Sequence, residues 1–362
     1  MTRTYYSYEP DYIVTPGDLL ADVLRSRGIR QTELAEKLDV STKHLNRIIK
    51  GKAPVSQKTA IGLERVLDIP ASFWLNAESR YRIHAHREDE NLAQHRGILS
   101  RKPIRELIRR GHIPADGPEA DRVEAVLKFF GEASVAGLLA FWDAGQAGRE
   151  AKAIALRRSR TITGDPVALA TWLRIGHHAA MACSCEAYDK AKFMAALRRI
   201  RTFTLEPTTK FITDMKELCA SAGVVFSMVK EISGAAVSGA TQWVSPDKAT
   251  IMLNLYGKRN DRFWFTFFHE AGHILQGRRE TYIEDITQTD CDEEKQADQF
   301  AADFLIPPKF RPQLPSLRAS AKIEQFAAEI GIHPGIVVGR LQHEKILRMD
   351  RHNDMKVKFD WK

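Results

Sequence analysis

The chain of 362 residues has few cysteines and no long hydrophobic run. Its four cysteines, Cys183, Cys185, Cys219 and Cys291, show neither a disulfide framework nor the spacing of a four-ligand zinc site. We therefore expect reduced thiols, with a redox role for the Cys183–Cys185 pair as the alternative. No segment approaches the roughly 20 apolar residues of a membrane helix, and residues 1–12 lack the apolar core of a signal peptide. These absences predict a cytoplasmic protein that does not contact a membrane.

Charge is distributed unevenly along the chain. The net charge is +8, yet residues 202–308 are acidic and lie between two basic stretches, 101–201 and 309–362. Metal sites recruit carboxylates, whereas nucleic-acid-binding surfaces recruit lysine and arginine. Because the length suggests two or three domains, one chain can serve both needs in separate parts. Basic helices that are simply solvated are the alternative explanation.

Residues 17–77 show the pattern of closely spaced short helices. Apolar residues recur at helical spacing, Ser41 stands where an N-cap is expected, and Gly51 follows the end of a predicted helix. Phe73 and Trp74 are expected to form a large aromatic anchor. The sequence therefore predicts a small five-helix domain at the N-terminus.

Two of these helices, within residues 30–52, fit a pair joined by a tight turn. The second helix presents polar and basic side chains that can enter a major groove and hydrogen-bond to base edges. An ordinary helical bundle with solvated basic residues is the alternative. The candidate DNA-contacting residues from this pattern are Gln31, Thr42, Lys43, Asn46, Arg47 and Lys50.

Residues 13–82, which contain these positions, resemble the Cro/C1-type (XRE) helix-turn-helix of HigA-like antitoxins. The resemblance implies that double-stranded operator DNA is a partner and that the chain binds it as a homodimer. It also implies that the DNA-contacting positions include Gln31, Ser41, Thr42, Lys43 and Arg47. Asp39 stands where this family usually has the turn glycine. We expect the turn to survive, because aspartate tolerates the left-handed conformation better than most residues.

The rest of the chain predicts an α+β fold that is mostly helical. Residues 83–102 are polar and indicate a linker or an exposed helix, and residues 103–209 indicate a helical middle region. Three strand-like segments follow, "GVVFSMVK", "AAVSGATQWV" and "ATIMLNLY", and two helices are expected at about 261–277 and 291–305. A small sheet therefore accompanies these helices.

Residues 311–362 are expected to form a C-terminal helical extension. The segment "FAAEIGIHPGIVVGRLQHEKIL" has a rhythm like that of a helix-turn-helix, but Gly and Pro crowd its turn and few polar groups are available to read bases. We interpret it as a packing element, with a second DNA contact as the alternative.

The run "FTFFHEAGHILQG" at 265–277 places two imidazoles and a carboxylate among apolar residues. Such groups are costly to bury unless they are paired or bound to a metal. His269 and His273 are four residues apart and share one face of a helix, so both can bind one zinc ion at about 2.0–2.1 Å. Glu270 lies beside them, as in the H-E-x-x-H arrangement of zinc peptidases. The alternative is a pair of core histidines satisfied by hydrogen bonds.

A third ligand is expected on the following helix. Its apolar stripe contains Ala297 and Ala301, and one turn earlier the same face carries Glu294. Asp298 lies on that face too and can accept a hydrogen bond from the free nitrogen of a ligating histidine. Glu293 is the one serious rival to Glu294 as the third ligand.

"HEAGH" followed by "EKQADQFAADFLIP" resembles the ImmA/IrrE family of bacterial metallopeptidases, over roughly residues 210–310. The resemblance implies a zincin-like α+β domain, one Zn²⁺ per chain and Glu294 as a zinc ligand. Several members of this family cleave a repressor protein. Gly277 departs from the family, which often has another His there, but that residue is not needed for zinc.

These parts predict a hydrolytic mechanism. Glu270 is expected to take a proton from the water that attacks a peptide carbonyl and to deliver it to the leaving amine. The strand containing "SGATQWV" could pair with an extended substrate. Tyr282, Arg278 and Arg279 are the candidates for stabilising the oxyanion.

Taken together, the motifs predict a DNA-binding transcriptional regulator with a gluzincin-like zinc metalloendopeptidase domain that cleaves a repressor-type partner protein or itself. The alternative is a HigA-like antitoxin or repressor whose peptidase fold is a non-catalytic sensor or toxin-binding surface. Intact His269, Glu270, His273 and Glu294 favour the first, because a degraded enzyme would be expected to lose some of them. A nucleic-acid-processing metalloenzyme is disfavoured, since its metals prefer carboxylates and water.

Overall fold

The computed structural model describes residues 14–89, 92–143, 165–206, 210–254, 259–277, 282–285 and 292–359. The chain divides into two compact units. We call residues 1–96 with 118–121 the N-terminal unit, and residues 97–117 with 122–362 the C-terminal unit. The finer division of the C-terminal unit at residues 209/210 and 310/311 stays a prediction.

Five helices form the N-terminal unit, as predicted. They are α1 (Pro16–Arg27), α2 (Gln31–Lys37), α3 (Thr42–Ile49), α4 (Gln57–Leu67) and α5 (Ala71–Asp89). Their inward faces build one apolar core around residues such as Leu34, Leu45 and Leu63, none of which is accessible to solvent. The polar segment expected to be a linker or an exposed helix begins within α5, which continues to Asp89.

The aromatic anchor of this unit differs from the expectation. Trp74 is completely buried in the core, whereas Phe73 is 45% exposed and packs its ring edge-on against Trp74. Adjacent residues on a helix point about 100° apart, so only one of the two can face the core. The anchor is therefore Trp74 alone.

The turn between α2 and α3 keeps its shape without glycine. Asp39 has a φ of 53°, in the left-handed region. The hydroxyl of Ser41 then accepts a hydrogen bond from the backbone N–H of His44 at 3.1 Å and so caps α3. Both features agree with the sequence expectation.

The C-terminal unit contains ten α-helices among its described residues, with a small sheet. The helices before the sheet are α6 (Lys102–Arg109), α7 (Glu119–Phe130, whose first turn lies in the N-terminal unit), α8 (Val135–Asp143), α9 (Pro166–Ala182), α10 (Lys190–Thr202) and α11 (Phe211–Ala220). After β3 come α12 (Asn260–Leu275), α13 (Asp292–Leu305), α14 (Ser320–Ile330) and α15 (Pro334–His343). Short 3₁₀ helices lie at Leu92–Ser100, Phe203–Leu205, Pro308–Ser316 and Asn353–Met355.

Among the described helices, none is by itself both long and apolar enough to cross a membrane, although the bent pair formed by Glu119–Phe130 and Val135–Trp142 passes that test of length and composition when taken together.

Four strands form the sheet, in the order β1-β3-β2-β4. They are β1 (Val224–Met228), β2 (Val237–Ser245), β3 (Lys248–Leu253) and β4 (Tyr282–Asp285), of which the sequence pattern indicated the first three. β1 is parallel to β3, and the other two pairings are antiparallel. The short fourth strand carries no period-2 apolar pattern long enough to be found from sequence.

The position of β2 in the sheet corrects the expectation that this strand could pair with an extended substrate. This strand lies between β3 and β4, and β4 pairs with it from Val237 to Thr241. Its backbone groups along that stretch are therefore already hydrogen-bonded within the sheet and cannot pair with a substrate. In the described structure, β4 leaves unpaired only the part of β2 after Thr241.

The sheet is covered on both faces because side chains alternate along each strand. On one face, residues such as Phe226 and Ile251 pack against the aromatic side of α12. On the other face, Ala240 and Met252 pack against Trp172 of α9. α12 is thus held between the sheet, α13 and α15.

The predicted packing element contributes α15, which packs against α12, and residues after it fasten the first turn of α12. The ammonium group of Lys356 lies 2.5 Å from the Asp261 carboxylate, and both side chains are largely buried. The backbone N–H of Asn260 donates to the carbonyl of Val357 at 2.8 Å. These contacts set the position from which α12 runs into the site described below.

Arg201, on α10, joins two helix ends. Its guanidinium donates hydrogen bonds to the backbone carbonyls of Phe304, Leu305, Ile330 and Gly331 at 2.8–3.5 Å. The carbonyls at the end of a helix lack partners within the helix and carry partial negative charge, so a cation satisfies them. One side chain thereby fixes the ends of α13 and α14.

Replacing Arg201 by Met is expected to lower the free energy of unfolding by about 2–4 kcal/mol, since charge-assisted hydrogen bonds to buried carbonyls are lost. Urea unfolding followed by circular dichroism measures the change. The matched control is Arg198→Met on the exposed face of the same helix, expected to change stability by less than about 0.5 kcal/mol. Equal effects of the two substitutions would contradict the joining role.

Candidate metal centre and nucleic-acid surface

The second half of α12 brings the three polar residues of the H-E-x-x-H motif into the interior. His269, Glu270 and His273 are 2%, 0% and 1% exposed. This burial follows from packing on two sides, by the sheet against one face of α12 and by α13 against the other. These three side chains are therefore shielded from bulk solvent, and their polar atoms need partners within the protein or a bound metal.

The two imidazoles and the carboxylate of Glu294 converge on one point. The Nε2 atoms of His269 and His273 lie 3.0 Å apart. Glu294, on α13, places Oε2 3.1 Å from Nε2 of His269 and Oε1 3.5 Å from Nε2 of His273. These three residues are the one group among the described side chains whose ligand atoms are arranged to hold a metal ion.

The distances fit a small tetrahedral ion. Ligand atoms bound at about 2.0–2.1 Å around such an ion lie about 3.3–3.4 Å from one another. The two Nε2 atoms are 3.0 Å apart, and the Glu294 contacts, 3.1 Å to Oε2 and 3.5 Å to Oε1, are of the same size. Two imidazoles and one carboxylate are also the donor set of catalytic zinc, which leaves the fourth position to water.

Asp298 orients one of the imidazoles. Its carboxylate lies 2.8 Å from Nδ1 of His269, although its side chain is 56% exposed. With a metal bound, a proton held on Nδ1 by this contact would leave the Nε2 lone pair available as a ligand. The structure thus places Asp298 where the sequence pattern expected it, but at the rim rather than in the interior.

Glu293, the rival third ligand, has a different surrounding. It stands one residue earlier on α13, and its backbone carbonyl accepts a hydrogen bond from the Gln276 amide at 2.9 Å. It does not belong to the converging group of described side chains. Because neighbouring helical residues point about 100° apart, only Glu294 of this pair can face both histidines.

The charges at the site are shifted by burial and by one another. Burial would raise the pKa of Glu294, but hydrogen bonds from His269 and His273 outweigh it and lower the pKa to about 2. For His273, burial lowers the pKa below its ordinary value despite the opposing effect of Glu294. Both shifts favour the forms that bind metals, a carboxylate and a neutral imidazole.

Glu270 has a neighbour that sequence reasoning missed. The hydroxyl of Thr241, on β2, lies 2.6 Å from Oε2 of Glu270 and is fully buried. A threonine in a strand is too common to signal this role, so only the tertiary structure reveals the pair. The three oxyanion candidates, Arg278, Arg279 and the side chain of Tyr282, lie outside the described residues.

In the N-terminal unit, the predicted DNA-contacting residues form one surface on α2 and α3. Ser41, Thr42, Lys43, Arg47 and Lys50 are exposed, and Gln31 and Asn46 are partly exposed. The amide of Asn46 donates to Oε1 of Gln31 at 3.4 Å, so the start of α2 and the middle of α3 are adjacent. The capping bond of Ser41 occupies one lone pair of its hydroxyl.

Two family models match separate parts of the chain. Residues 20–74 match the helix-turn-helix family model, and residues 223–342 match the model of the IrrE N-terminal-like domain, peptidase family M78. Virulence-associated protein A of Dichelobacter nodosus is 37% identical over 71 residues, which cover 18% of this chain and 70% of that protein.

Two solved structures resemble part of the chain. The antitoxin HigA of Pseudomonas aeruginosa, solved with the higBA promoter, is 32% identical and covers 22% of this chain and 86% of its own, with a TM-score of 0.21. An addiction module antidote protein of the HigA family from Coxiella burnetii is 26% identical over 21% of this chain and 84% of its own, with a TM-score of 0.20. Across the whole chain these likenesses are slight, and the assignment depends on the family matches.

The chain belongs to the XRE-type helix-turn-helix proteins and carries an IrrE/ImmA-like peptidase domain in the same polypeptide. This combination supports a DNA-binding transcription regulator with a peptidase-like domain. The recognition of both families from sequence is thereby confirmed.

Without metal, the chain is expected to lose stability as the pH falls. The pKa of Glu294 lies below its ordinary value of 4.5 at about 2, so its stabilisation is present above pH 4.5 and disappears as the pH approaches about 2. The lowered pKa of His273 acts in the same direction, starting from its ordinary 6.5. Urea unfolding with a chelator at about pH 7, 5 and 3 measures the loss. Glu294→Gln should show a shallower decline between the last two values, and an unchanged decline would contradict the assignment.

Proposed function

We propose that this chain is a transcription regulator whose C-terminal unit is a zinc-dependent endopeptidase. The observation that carries the proposal is the convergence of His269, His273 and Glu294, with the buried Glu270 carboxylate on the same helix as the two histidines. The match of residues 223–342 to a peptidase family supports it. The substrate we propose is a protein, either a repressor-type partner or the chain itself.

Each residue has a distinct task in this proposal. His269, His273 and Glu294 would hold one Zn²⁺, and Asp298 would keep His269 in the tautomer that offers Nε2. When bound, the ion would lower the pKa of a water and polarise a peptide carbonyl. Glu270 would accept the proton of the attacking water and donate it to the leaving amine. Burial of this carboxylate keeps bulk water from competing for its proton.

In the N-terminal unit, we propose that α3 enters the major groove of operator DNA. Lys43, Arg47 and Lys50 would contact phosphates or base edges. Gln31 and Asn46, whose side chains are hydrogen-bonded to each other, would lie together at the groove. The protein would bind as a homodimer, because operators read by this motif carry two half-sites. We place this binding in the cytoplasm. Cleavage by the C-terminal unit would then alter the transcription that the N-terminal unit controls.

Metal content tests the peptidase part directly. Mass spectrometry of the purified wild type is expected to find about one zinc per chain, and His269→Ala and Glu294→Ala are each expected to lose it, since three protein ligands are needed for tight binding. Glu270→Gln is the matched control, expected to keep the metal. Absence of zinc from the wild type after reconstitution would overturn the proposal.

The same variants separate the peptidase from the alternative, an antitoxin-like regulator with a non-catalytic peptidase fold. Hydrolysis of casein and slow self-cleavage, both followed by gel electrophoresis, should fall by a factor of about 10² or more in Glu270→Gln. A wild type that binds zinc yet cleaves neither would support the sensor or toxin-binding function instead.

Salt dependence tests the DNA surface. For a 30-base-pair random-sequence duplex, the slope of log affinity against log salt should become shallower by about 0.9 in Lys43→Gln and in Arg47→Gln, because in binding without sequence preference each cation would neutralise about one phosphate. Arg65→Gln, at an exposed position on α4, is the control and should leave the slope unchanged. The same slope for all three variants would contradict the placement of DNA on α3.

A further inference from the structure

Thr241 and Glu270 form a buried pair between β2 and α12. The hydroxyl Oγ1 of Thr241 lies 2.6 Å from Oε2 of Glu270 and 3.1 Å from the carbonyl oxygen of the same residue. Neither side chain is accessible to solvent. A hydroxyl has one proton to donate. We assign the hydrogen bond to the shorter contact, in which the acceptor is the negatively charged Oε2 of Glu270.

The other carboxylate oxygen of Glu270 lies over a glycine of the same strand face. A Cβ built on Gly239 would stand 2.8 Å from Oε1 of Glu270 and 2.7 Å from Cγ2 of Thr266. Gly239 does not have a positive φ, so it is space and not backbone conformation that requires glycine here. Residues two apart on a strand share a face, which brings Gly239 and Thr241 under the same carboxylate.

We propose that Gly239 and Thr241 form a seat for the Glu270 carboxylate, with Thr241 as a positioning residue of the hydrolytic reaction. This inference rests on the proposed function of Glu270 as the general base. Gly239 provides the room for one oxygen, and Thr241 provides a directed hydrogen bond to the other. The terminal torsion of a glutamate is broad and roughly two-fold, so a fixed donor is needed to select one orientation.

The seat is rigid because its strand is paired on both sides. Gly239 is in register with Leu253 of β3 and with Glu284 of β4, and Thr241 with Ile251 and Tyr282. A donor on an interior strand cannot shift without breaking ladder hydrogen bonds. Sites built on such elements hold their geometry more closely than sites built on loops.

Three substitutions in the full-length, zinc-loaded chain test the proposal. Thr241→Val removes the hydroxyl at constant shape, and Thr241→Ser keeps it. The matched control is Thr250→Val, because Thr250 is equally buried in β3 and its hydroxyl donates to the backbone carbonyl of Val225 at 3.0 Å, not to Glu270. Both valine variants therefore lose one buried hydroxyl from the same sheet.

Casein hydrolysis and zinc content are the first readout. Thr241→Val is expected to lower kcat about tenfold or more at unchanged zinc content, because a misdirected carboxylate is poorly placed to take the proton of the attacking water. Thr241→Ser should retain activity within about threefold, and Thr250→Val should match the wild type. The proposal is overturned if Thr241→Val keeps full activity, or if the control loses as much.

A second readout needs no substrate and distinguishes failure of the seat from failure of the proposed function. In urea unfolding, Thr241→Val should lower the midpoint in the wild-type background, and this drop should be at least halved when Glu270→Met has removed the carboxylate. Thr250→Val should lower the midpoint equally in both backgrounds. If Thr241→Val lowers the urea midpoint equally in both backgrounds, the proposed contact between Thr241 and Glu270 is overturned, whether or not the wild type hydrolyses casein.

Discussion

Burial of charged and polar groups on α12 is the constraint on which the C-terminal unit depends. Two imidazoles and a carboxylate lie in a helix rich in Phe, Trp and other apolar residues, and none of the three is more than 2% exposed. Such groups are stable in an apolar interior only when partners surround them. α13 supplies Glu294 and Asp298, and β2 supplies Thr241. The tertiary structure can therefore be understood as a set of elements that bring those partners to one helix.

The ends of the elements around the site are fastened by long-range contacts of a few side chains. Lys356 and the backbone of Val357 hold the start of α12, and Lys190 donates to the carbonyl of Leu275 near its end. Arg201 holds the ends of α13 and α14. These bonds satisfy helix-terminal groups that lack partners within their own helices. Because they come from segments far apart in sequence, the site depends on nearly the whole C-terminal unit.

The two units use polar residues in opposite ways. On α2 and α3 the polar side chains are exposed, and their backbone is held by the turn at Asp39 and the cap at Ser41. A surface that binds a polyanion from water needs charge at the exterior and an apolar core beneath it. On α12 the polar side chains face inward, where Glu294 of α13 and Thr241 of β2 are their partners. In the sequence, this contrast is visible as a basic helix at residues 42–49 and as His269, Glu270 and His273 within an apolar run.

Local pattern determined much of this protein. The spacing of His269 and His273, the stripe that ends at Glu294, the cap at Ser41 and the left-handed turn at Asp39 all follow from helix periodicity and backbone preference, which act over a few residues. Tertiary structure alone decided the rest: which of Phe73 and Trp74 is buried, that β2 is an interior strand, and that Thr241 and Gly239 lie under Glu270. These features join residues about 30 or more positions apart or depend on how helices and strands pack, and no spacing rule reaches that far.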